Sequence, residues 1–346
     1  MVGGHERIVA LNLGIASGGS AGLRGHLPPE IGHLTALVQL TLAPGKVSGP
    51  IPTSIGYLKS LQNLGLGHNL LVGPIPVELG QLTGLQTLDL GYNRLSGGVP
   101  QELSAITSLV TLRLAHNRLT GPLPISFRSL SQLDHVDMRR NSLEGPLPLL
   151  PQSVTYLDLS RNRLTGPLTE ALSPLTSLTY IDLSDNELSG GIPGELWGSS
   201  TLALLSLRRN SLSGPLVPGG LVTIPTVDLA FNELWGPIPP FLAFVRDLYL
   251  NNNRLTGAVP QEFVDQVVGG SMHTLFLQHN FLTRFPVPFA APGGPWPWPG
   301  SGSGSAGTTT AVCIQYNCMM PPIDSPCPHS GGTRATRPSS QCKNSS

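Results

Sequence analysis

The chain has 346 residues, no formal net charge at pH 7, and only 12% charged residues, against about 25% in an average soluble protein. A nucleic-acid-binding protein needs an excess of basic residues, and a transmembrane helix needs a run of about 18 apolar residues. Neither feature occurs, so we predict no nucleic-acid partner and no transmembrane segment in this chain.

The N-terminal sequence MVGGHERIVALNL leads almost directly into a repeating pattern. It lacks the positively charged start, the apolar run and the cleavage site of a signal peptide. We therefore expect either a truncated N-terminus that has lost its signal peptide or a cytoplasmic protein.

From Ile8 onward, one motif returns about twelve times, as in the stretch 88-LDLGYNRLSGGVP-100. The copies are separated by 21 to 27 residues, most often by 24. A fixed period of this length is the sequence signature of a repeat architecture. Aligned on the asparagine, the copies are centred on Gly45, Asn69, Asn93, Asn117, Asn141, Asn162, Asn186, Asn210, Asn232, Asn253 and Asn280.

The motif has a simple physical interpretation. Leu88 and Leu90 are two residues apart, so on a strand they face the same, inward side, and Leu95 and Val99 continue the inward set. A buried amide at Asn93 can bond backbone groups of adjacent turns, so stacked copies predict an asparagine ladder. One copy cannot bury its own apolar face, and its neighbours must cover it, which predicts a stack of repeats.

The string L-x-x-L-x-L-x-x-N-x-L-x-G-x-I/L-P covers residues 8–285 and resembles the leucine-rich repeats of plant extracellular receptor-like proteins and polygalacturonase inhibitors. The resemblance implies an α/β-type repeat solenoid, a right-handed superhelix with a concave parallel β-sheet. It also implies a second short strand near L-x-G-x-I/L-P, irregular and 3-10 turns on the convex side, and little α-helix. Such relatives normally begin with a cysteine-containing cap, which is missing here and favours the truncated N-terminus.

Four variable positions in each repeat are expected to face the concave side, and the middle repeats fill them with charged and aromatic residues. Tyrosine and arginine are enriched at binding hot spots. The alternative is a solvated face with weak ion pairs, such as Arg113 with Asp89 and Asp137. The candidate ligand-binding residues are Tyr92, Arg113, His116, His135, Asp137, Arg139, Arg140, Tyr156, Asp158, Arg161, Tyr180, Asp182, Asp185, Arg208 and Arg209.

Nearer the C-terminus, the same positions hold Phe231, Tyr249 and Phe276, which form a second, more apolar candidate contact surface. An apolar shelf of this kind can also contact a ligand.

The sequence carries no signature of catalysis. Asp137, Asp158 and Asp182 form an acidic column, but basic residues intersperse it and an open sheet offers no cleft for a glycosidase pair. The histidines lack metal-ligand spacing with cysteine, and nucleotide-binding and hydrolase motifs do not occur. We therefore predict a protein that is not an enzyme and that uses no cofactor or metal.

The repeat rhythm stops after Phe285. Residues 286–310 are rich in proline, glycine and serine and are predicted to form a linker, and residues 311–346 a small, largely irregular tail. The tail contains Cys313, Cys318, Cys327 and Cys342, which we expect to form two disulfides with three possible pairings. Disulfides favour an extracellular, cell-wall or cell-surface location.

These features predict a recognition module that binds a protein, a peptide or a cell-wall polysaccharide through its concave face, in receptor-like signalling or defence. A membrane-bound co-receptor is a further candidate partner. Two alternatives remain open. One is a structural or surface-active cell-wall protein, and the other is an ectodomain fragment of a leucine-rich-repeat receptor kinase whose kinase and membrane parts are not in this chain.

Overall fold

The computed structural model describes residues 7–13, 23–286, 311–319 and 339–342. The chain divides into two compact units, Met1–Gly166 (unit 1) and Pro167–Ser346 (unit 2). Both units repeat the same sequence of elements, in which a short strand, a tight turn, a second short strand and a helical turn follow one another.

Unit 1 contains fourteen described strands, all paired in parallel with their neighbours. The odd-numbered strands form the first sheet and the even-numbered strands form the second sheet, each in chain order. The strands are β1 (Ala10–Asn12), β2 (Leu23–His26), β3 (Gln39–Thr41), β4 (Gly45–Gly49), β5 (Asn63–Gly65), β6 (Leu70–Gly73), β7 (Thr87–Asp89), β8 (Arg94–Gly97), β9 (Thr111–Arg113), β10 (Arg118–Gly121), β11 (His135–Asp137), β12 (Ser142–Pro146), β13 (Tyr156–Asp158) and β14 (Arg163–Pro167).

The register of the first sheet follows the repeat period. Leu88 on β7 lies opposite Leu112 on β9, and Val136 on β11 lies opposite both Leu112 and Leu157. These inward side chains are almost completely buried, as the period-two pattern predicts. Each even strand of unit 1 has a glycine of positive φ as its last or next-to-last residue, such as Gly97 at 80°, where an L side chain is strained.

Short 3-10 helices connect the second sheet of unit 1 back to its first sheet. Each begins after a proline in extended conformation, because proline fixes φ and cannot donate a backbone hydrogen bond. Their bounds are Pro29–His33, Thr53–Tyr57, Val77–Gln81, Gln101–Ala105 and Ile125–Ser129. The predicted leucine-rich-repeat solenoid, with parallel strands and mostly 3-10 turns on the opposite side, is confirmed.

The predicted asparagine ladder is also confirmed. Asn69 Nδ2 donates to the carbonyls of Leu42 at 2.6 Å and Gly67 at 3.0 Å, and its Oδ1 accepts the Val47 N–H at 3.0 Å. Each ladder amide therefore connects its own repeat to the preceding one and satisfies backbone groups that the strands leave unpaired. The same pattern recurs from Asn93 through Asn280.

Unit 2 continues the pattern with the odd strands in the first sheet and the even strands in the second sheet. Its helical turns are α1 (Thr169–Leu172), α2 (Gly194–Trp197), α3 (Gln261–Val268) and the 3-10 helices Pro240–Phe244 and Ser339–Gln341. The strands are β15 (Tyr180–Asp182), β16 (Glu187–Gly190), β17 (Leu204–Ser206), β18 (Ser211–Gly214), β19 (Thr226–Asp228), β20 (Glu233–Pro237), β21 (Asp247–Tyr249), β22 (Arg254–Ala258), β23 (Thr274–Phe276), β24 (Phe281–Arg284) and β25 (Ala311–Cys313).

The segment predicted as an irregular tail begins with a further repeat. Strand β25 pairs in parallel with β23, and Asn317 takes the ladder position, donating to the Leu277 carbonyl at 3.0 Å and accepting the Leu282 N–H at 3.1 Å. Val312 and Ile314 supply the inward side chains. The repeat was not recognised from the sequence because an insertion of unusual length precedes it.

Residues 287–310 of the predicted linker lie outside the described residues, as does Cys327. Of the three pairings left open by the sequence, the structure contains the disulfide between Cys318 and Cys342. No cysteine in the described part of the chain has a free thiol. The boundaries of the linker and the tail stay predictions.

Candidate functional site

The outer face of the first sheet presents the four variable positions of each repeat. The residue just before each ladder asparagine adopts a left-handed conformation, with φ between 51° and 60°, although none of these residues is glycine. This conformation ends the strand and places the side chain at the edge of the outer face. The residues are His68, Tyr92, His116, Arg140 and Arg161 in unit 1, and Asp185, Arg209, Phe231, Asn252, His279 and Tyr316 in unit 2.

Three of these residues form an aromatic stack in unit 1. The ring of Tyr92 lies 4.2 Å from that of His68 and 4.0 Å from that of His116, with interplanar angles of 12° and 14°. The spacing is set by the strand separation of about 4.7–4.9 Å, which brings identical positions of neighbouring repeats into ring contact. His68 was absent from the sequence-predicted site, although its position before Asn69 was the available signal.

A second stack lies in the two following repeats of the same face. His135 on β11 and Tyr156 on β13 occupy the position before the second leucine, and their rings are 4.2 Å apart with an interplanar angle of 11°. Both rings are partly exposed. The structure therefore places the predicted residues Tyr92 and His116 in one stack and the predicted residues His135 and Tyr156 in another.

Arg139 joins the aromatic and acidic residues of unit 1. Its Nη1 lies 3.0 Å from Asp158 Oδ2 and 3.6 Å from Asp137 Oδ2. A hydrogen bond to the Tyr92 side chain, together with the one to Asp158, raises the pKa of the Arg139 guanidinium, so it stays charged.

The predicted acidic column has a structural role. Asp137 and Asp158 are buried, with 8% and 2% exposure. The prediction that their carboxylates face the solvent is therefore wrong. Their Oδ1 atoms accept the N–H groups of Arg139 at 3.3 Å and Ser160 at 3.1 Å, two residues further on. Asp182 forms the same turn with the Ser184 N–H, so these carboxylates shape the strand ends.

The ion pairs suggested by the sequence were assigned to the wrong arginine. Asp137 pairs with Arg139, and the Asp89 carboxylate accepts the Gly91 N–H at 3.0 Å. Within the described residues, no ion pair involves Arg113 or Arg140, and both side chains are exposed. These two arginines leave uncompensated positive charge on the outer face of unit 1.

Two histidines of unit 1 resist protonation. Burial lowers the pKa of His116 below its ordinary value, and the positive charges of Arg140, Arg139 and Arg161 lower it further. Burial also lowers the pKa of His135, with Arg113 as the next contribution. Near neutral pH both rings are therefore neutral and suited to stacking, while the positive charge of the face comes from the arginines.

Unit 2 holds the remaining predicted residues on its own outer face. Arg208 and Arg209 both lie over the Phe231 ring, at 4.7 and 5.0 Å from its centre. Arg208 is 3.8 Å from Asp228, and Arg209 is 3.6 Å from Asp185. Tyr180 and Asp182 are the first and last residues of β15, two residues apart.

Phe231 and Asp228 were missing from the predicted ligand-binding set, although Phe231 was noted as part of the apolar surface. Burial raises the pKa of Asp228, against the opposing effects of the Ala230 N–H and Arg208. Both residues occupy variable positions of their repeat, so an alignment of the repeats identifies them as facing outward.

No group of three potential metal ligands occurs within the described ranges of the chain. In the same ranges, no helix is both long and apolar enough to span a bilayer.

Comparisons with known proteins agree with the repeat architecture. A family model described as "Leucine rich repeat" matches residues 59–119 and 152–212. A search of the curated proteins finds no match.

Three solved structures illustrate what the chain is similar to. The plant peptide hormone receptor RGFR1, in complex with RGF2, is 30% identical over 80% of this chain and 48% of its own, with a TM-score of 0.65. A TDR receptor is 26% identical over 90% of this chain and 56% of its own, with a TM-score of 0.71. A plant ice-binding protein is 32% identical over 69% of this chain and 79% of its own, with a TM-score of 0.57.

The chain thus spans about half the length of the two receptor structures, and more than two thirds of the ice-binding protein. The family match and the asparagine ladder both indicate leucine-rich repeats. The chain belongs to the leucine-rich-repeat family, in the plant type whose members include receptor ectodomains.

Proposed function

We propose that this protein is a non-catalytic recognition module that binds a protein or peptide on the outer face of unit 1. The observation that carries the proposal is the group formed by the Tyr92 stack, Arg139 and the exposed arginines Arg113 and Arg140. Rigid aromatic rings next to charged side chains are typical of binding hot spots. The similar receptor RGFR1 was solved with RGF2 bound, which supports a peptide.

The ligand has an acidic character in this proposal. Arg113 and Arg140 are exposed and belong to no ion pair among the described residues, and Arg161 is exposed in the next repeat. The carboxylates of Asp137 and Asp158 are buried and accept backbone N–H groups. An arginine fork binds a carboxylate through two parallel hydrogen bonds. The neutral histidines His116 and His135 contribute flat contact area without adding charge.

The test starts from a random-peptide display library panned against the purified chain. We expect the selected peptides to be enriched in Asp and Glu and to bind Arg140→Ala/Arg161→Ala roughly 10-fold or more weakly, because hydrogen bonds to charged groups contribute about 1.5–3 kcal/mol each. The matched control is Arg94→Ala/Arg118→Ala, which removes two exposed arginines at the beginning of β8 and β10 in the second sheet. Equal losses in both double variants contradict the site.

The location and context follow from the same proposal. The Cys318–Cys342 disulfide favours an oxidising, extracellular compartment, and the similar receptors suggest receptor-like signalling with a co-receptor. Secretion is tested by expressing the chain behind a heterologous signal peptide and comparing its disulfide content with that of cytoplasmic material. A fully reduced, equally stable cytoplasmic product contradicts the extracellular assignment.

A second candidate function is ice binding, in line with the surface-active alternative. The second sheet carries a row of hydroxyl side chains at the residue before the positive-φ glycine of most repeats, with Arg24, Val72 and Glu144 as exceptions in unit 1 and Trp235 in unit 2. In the register of the second sheet, Ser96 lies opposite Arg118 and Ser189 lies opposite Ser211, so equivalent hydroxyls of neighbouring strands are offset by two residues along the strand. They recur with a regular diagonal spacing, at which they can order water. The row contains Ser48, Ser96, Thr120 and Thr165 in unit 1 and Ser189, Ser213 and Thr256 in unit 2.

Inhibition of ice recrystallisation separates the two functions. If the hydroxyl row contacts ice, Ser96→Lys/Thr120→Lys abolishes the inhibition, because two long charged side chains break the regular surface. Thr107→Lys, which changes an exposed threonine after the 3-10 helix Gln101–Ala105, leaves it unchanged. A wild-type chain without inhibition above that of albumin eliminates this candidate.

A further inference from the structure

The second sheet of unit 1 concentrates positive charge on its exposed side, although the chain as a whole has no formal net charge. The inward residue of each strand, such as Leu95 or Leu119, is buried, and the residues beside it along the strand face outward. The only carboxylate on the described strands of this sheet in unit 1 is that of Glu144. The exposed cationic residues at outward positions, which we call the basic row, are Arg24, Lys46, Arg94, Arg118 and Arg163.

The fold does not neutralise the basic row. Within the described ranges, none of its side chains forms an ion pair, whereas Arg254, at the corresponding strand position in unit 2, lies 3.0 Å from Glu233. Arg24 even lies directly opposite Lys46 in the parallel pair of β2 and β4. Like charges that face each other across neighbouring strands are unfavourable. The basic row therefore leaves positive charge that an anionic partner can compensate.

The strand register gives the basic row a regular spacing. Arg118 on β10 lies opposite Ser96 on β8, so it is shifted by two residues along the strand relative to Arg94. With strands about 4.7–4.9 Å apart and a rise of about 3.3 Å per residue, the backbones of Arg94 and Arg118 are roughly 8 Å apart. The same shift continues the diagonal through Ser142 to Arg163. A linear ligand on this diagonal meets guanidinium groups at regular intervals.

We propose that the basic row binds a linear polyuronate, a polysaccharide with a carboxylate on each sugar ring. An arginine fork binds a carboxylate through two parallel hydrogen bonds. A polymer that lies along the diagonal brings a new carboxylate towards each successive guanidinium group. The basic row lies on the second sheet, separate from the peptide site on the outer face of the first sheet, so this binding goes beyond the function proposed above.

Hydroxyl side chains between the arginines favour a polysaccharide over an acidic peptide. Ser96 lies directly opposite Arg118, and Ser142 lies directly opposite Thr120, so hydroxyl groups are interspersed with guanidinium groups on this face. A hydroxyl group both donates and accepts hydrogen bonds, and so do the hydroxyls of a sugar ring. A uronate ring can therefore pair with both kinds of side chain, whereas ionised Asp and Glu side chains only accept hydrogen bonds.

The experiment is a calorimetric titration of the full chain with an oligogalacturonide, and its methyl-esterified form, which lacks the charges, is the matched ligand control. We expect saturable binding of the charged form only. Binding should weaken as salt is added, since the Debye length falls from about 10 Å at 0.1 M to about 3 Å at 1 M. Oligoglutamate and an oligodeoxynucleotide of the same length test the other anionic classes. Stronger binding of either one, equal binding of the esterified form, or no saturable binding overturns the proposal.

Arginine variants test whether the basic row is the binding surface. Arg94→Ala/Arg118→Ala should weaken oligogalacturonide binding roughly ten-fold, because two exposed charge pairs with the ligand are lost. Arg246→Ala/Arg254→Ala is the matched control, since it removes the same charge from exposed arginines that already form ion pairs, and it should bind as the wild type does. Arg94→Lys/Arg118→Lys keeps the charge and should bind more tightly than the alanine variant. Equal losses in the alanine variant and in either of the other two variants overturn the proposal.

The Arg140→Ala/Arg161→Ala variant distinguishes this proposal from the proposed function. It should bind the oligogalacturonide as the wild type does, whether or not it still binds the selected peptides. Unchanged peptide binding in this variant contradicts the proposed function alone. Loss of oligogalacturonide binding in the same variant places the polymer on the outer face of the first sheet and overturns the basic row as its site.

Discussion

At the residue scale, the ladder asparagine is the position where side-chain chemistry and the repeat are most tightly linked. Asn93 Nδ2 donates to the carbonyls of Leu66, Leu90 and Gly91 at 2.9, 3.1 and 3.2 Å, and its Oδ1 accepts the Leu71 N–H at 3.0 Å. An amide both donates and accepts, so one side chain satisfies backbone groups in two repeats.

Asn93→Leu should lower the free energy of unfolding by at least about 2 kcal/mol, because it leaves buried carbonyls and one N–H without partners. Urea denaturation measures the change. The control Asn63→Leu alters a half-buried asparagine on the outer face of β5 and should change stability by less than about 0.5 kcal/mol. Similar losses in both variants contradict the role of the ladder.

Asp228→Asn should stabilise the protein at neutral pH. Burial raises the pKa of Asp228, so the native state binds the proton more tightly than the unfolded state, and this contribution to stability is lost as pH rises through the native pKa. Asparagine stays neutral and keeps an oxygen for the Ala230 N–H, which Asp228 binds at 3.0 Å.

We therefore expect the melting temperature of Asp228→Asn to exceed that of the wild type at pH 7. The difference should shrink towards zero as pH falls below 3.8, the ordinary pKa of the carboxyl group. The partly exposed contact with Arg208 is lost in the variant but contributes little. A pH-independent difference contradicts this explanation.

At the element scale, the strand and its following turn form one device that presents side chains. Each first-sheet strand is short, and a residue in the left-handed conformation follows it. This backbone conformation costs a residue other than glycine about 1–2 kcal/mol. The sequence predicted the strand and the outward columns, because period two is visible in the leucines. It did not predict the left-handed turn, because His68, Tyr92 and Arg140 share no residue type that marks it.

Arg140→Gly tests what this device costs. Arg140 is exposed with φ at 54°, a conformation that glycine adopts without steric strain. The variant should be about 0.5–1 kcal/mol more stable than the wild type, while binding the acidic peptides of the proposed function more weakly. If the variant is more stable but binds the peptides equally well, Arg140 is not part of the binding site. If the variant is less stable, the strain argument is wrong.

At the scale of the whole molecule, stability accumulates repeat by repeat. Each strand pairs with its counterparts in the adjoining repeats, as β19 does with β17 and β21. Such a stack tolerates the removal of a complete repeat, because the new neighbours have the same complementary surfaces.

Deleting residues 187–210, one 24-residue period, joins Asn186 to Ser211 and preserves the pattern N-x-L-x-G. The deletion variant should keep its circular dichroism spectrum and unfold at a lower denaturant concentration. Deleting only residues 187–198 removes half a period and should abolish the folded state, because it shifts the inward leucines out of register. Equal behaviour of the two deletions contradicts the modular account.

The sequence by itself determined the repeat, the inward leucines, the asparagine ladder and the outward columns, because each depends only on positions within one period. Only the tertiary structure decided which outward residues meet. The ring stack of Tyr92 and the ion pair of Arg139 with Asp158 both arise between repeats. Contacts of this kind depend on the strand separation and on the left-handed turn that aims each side chain, and neither is encoded in the identity of a single residue.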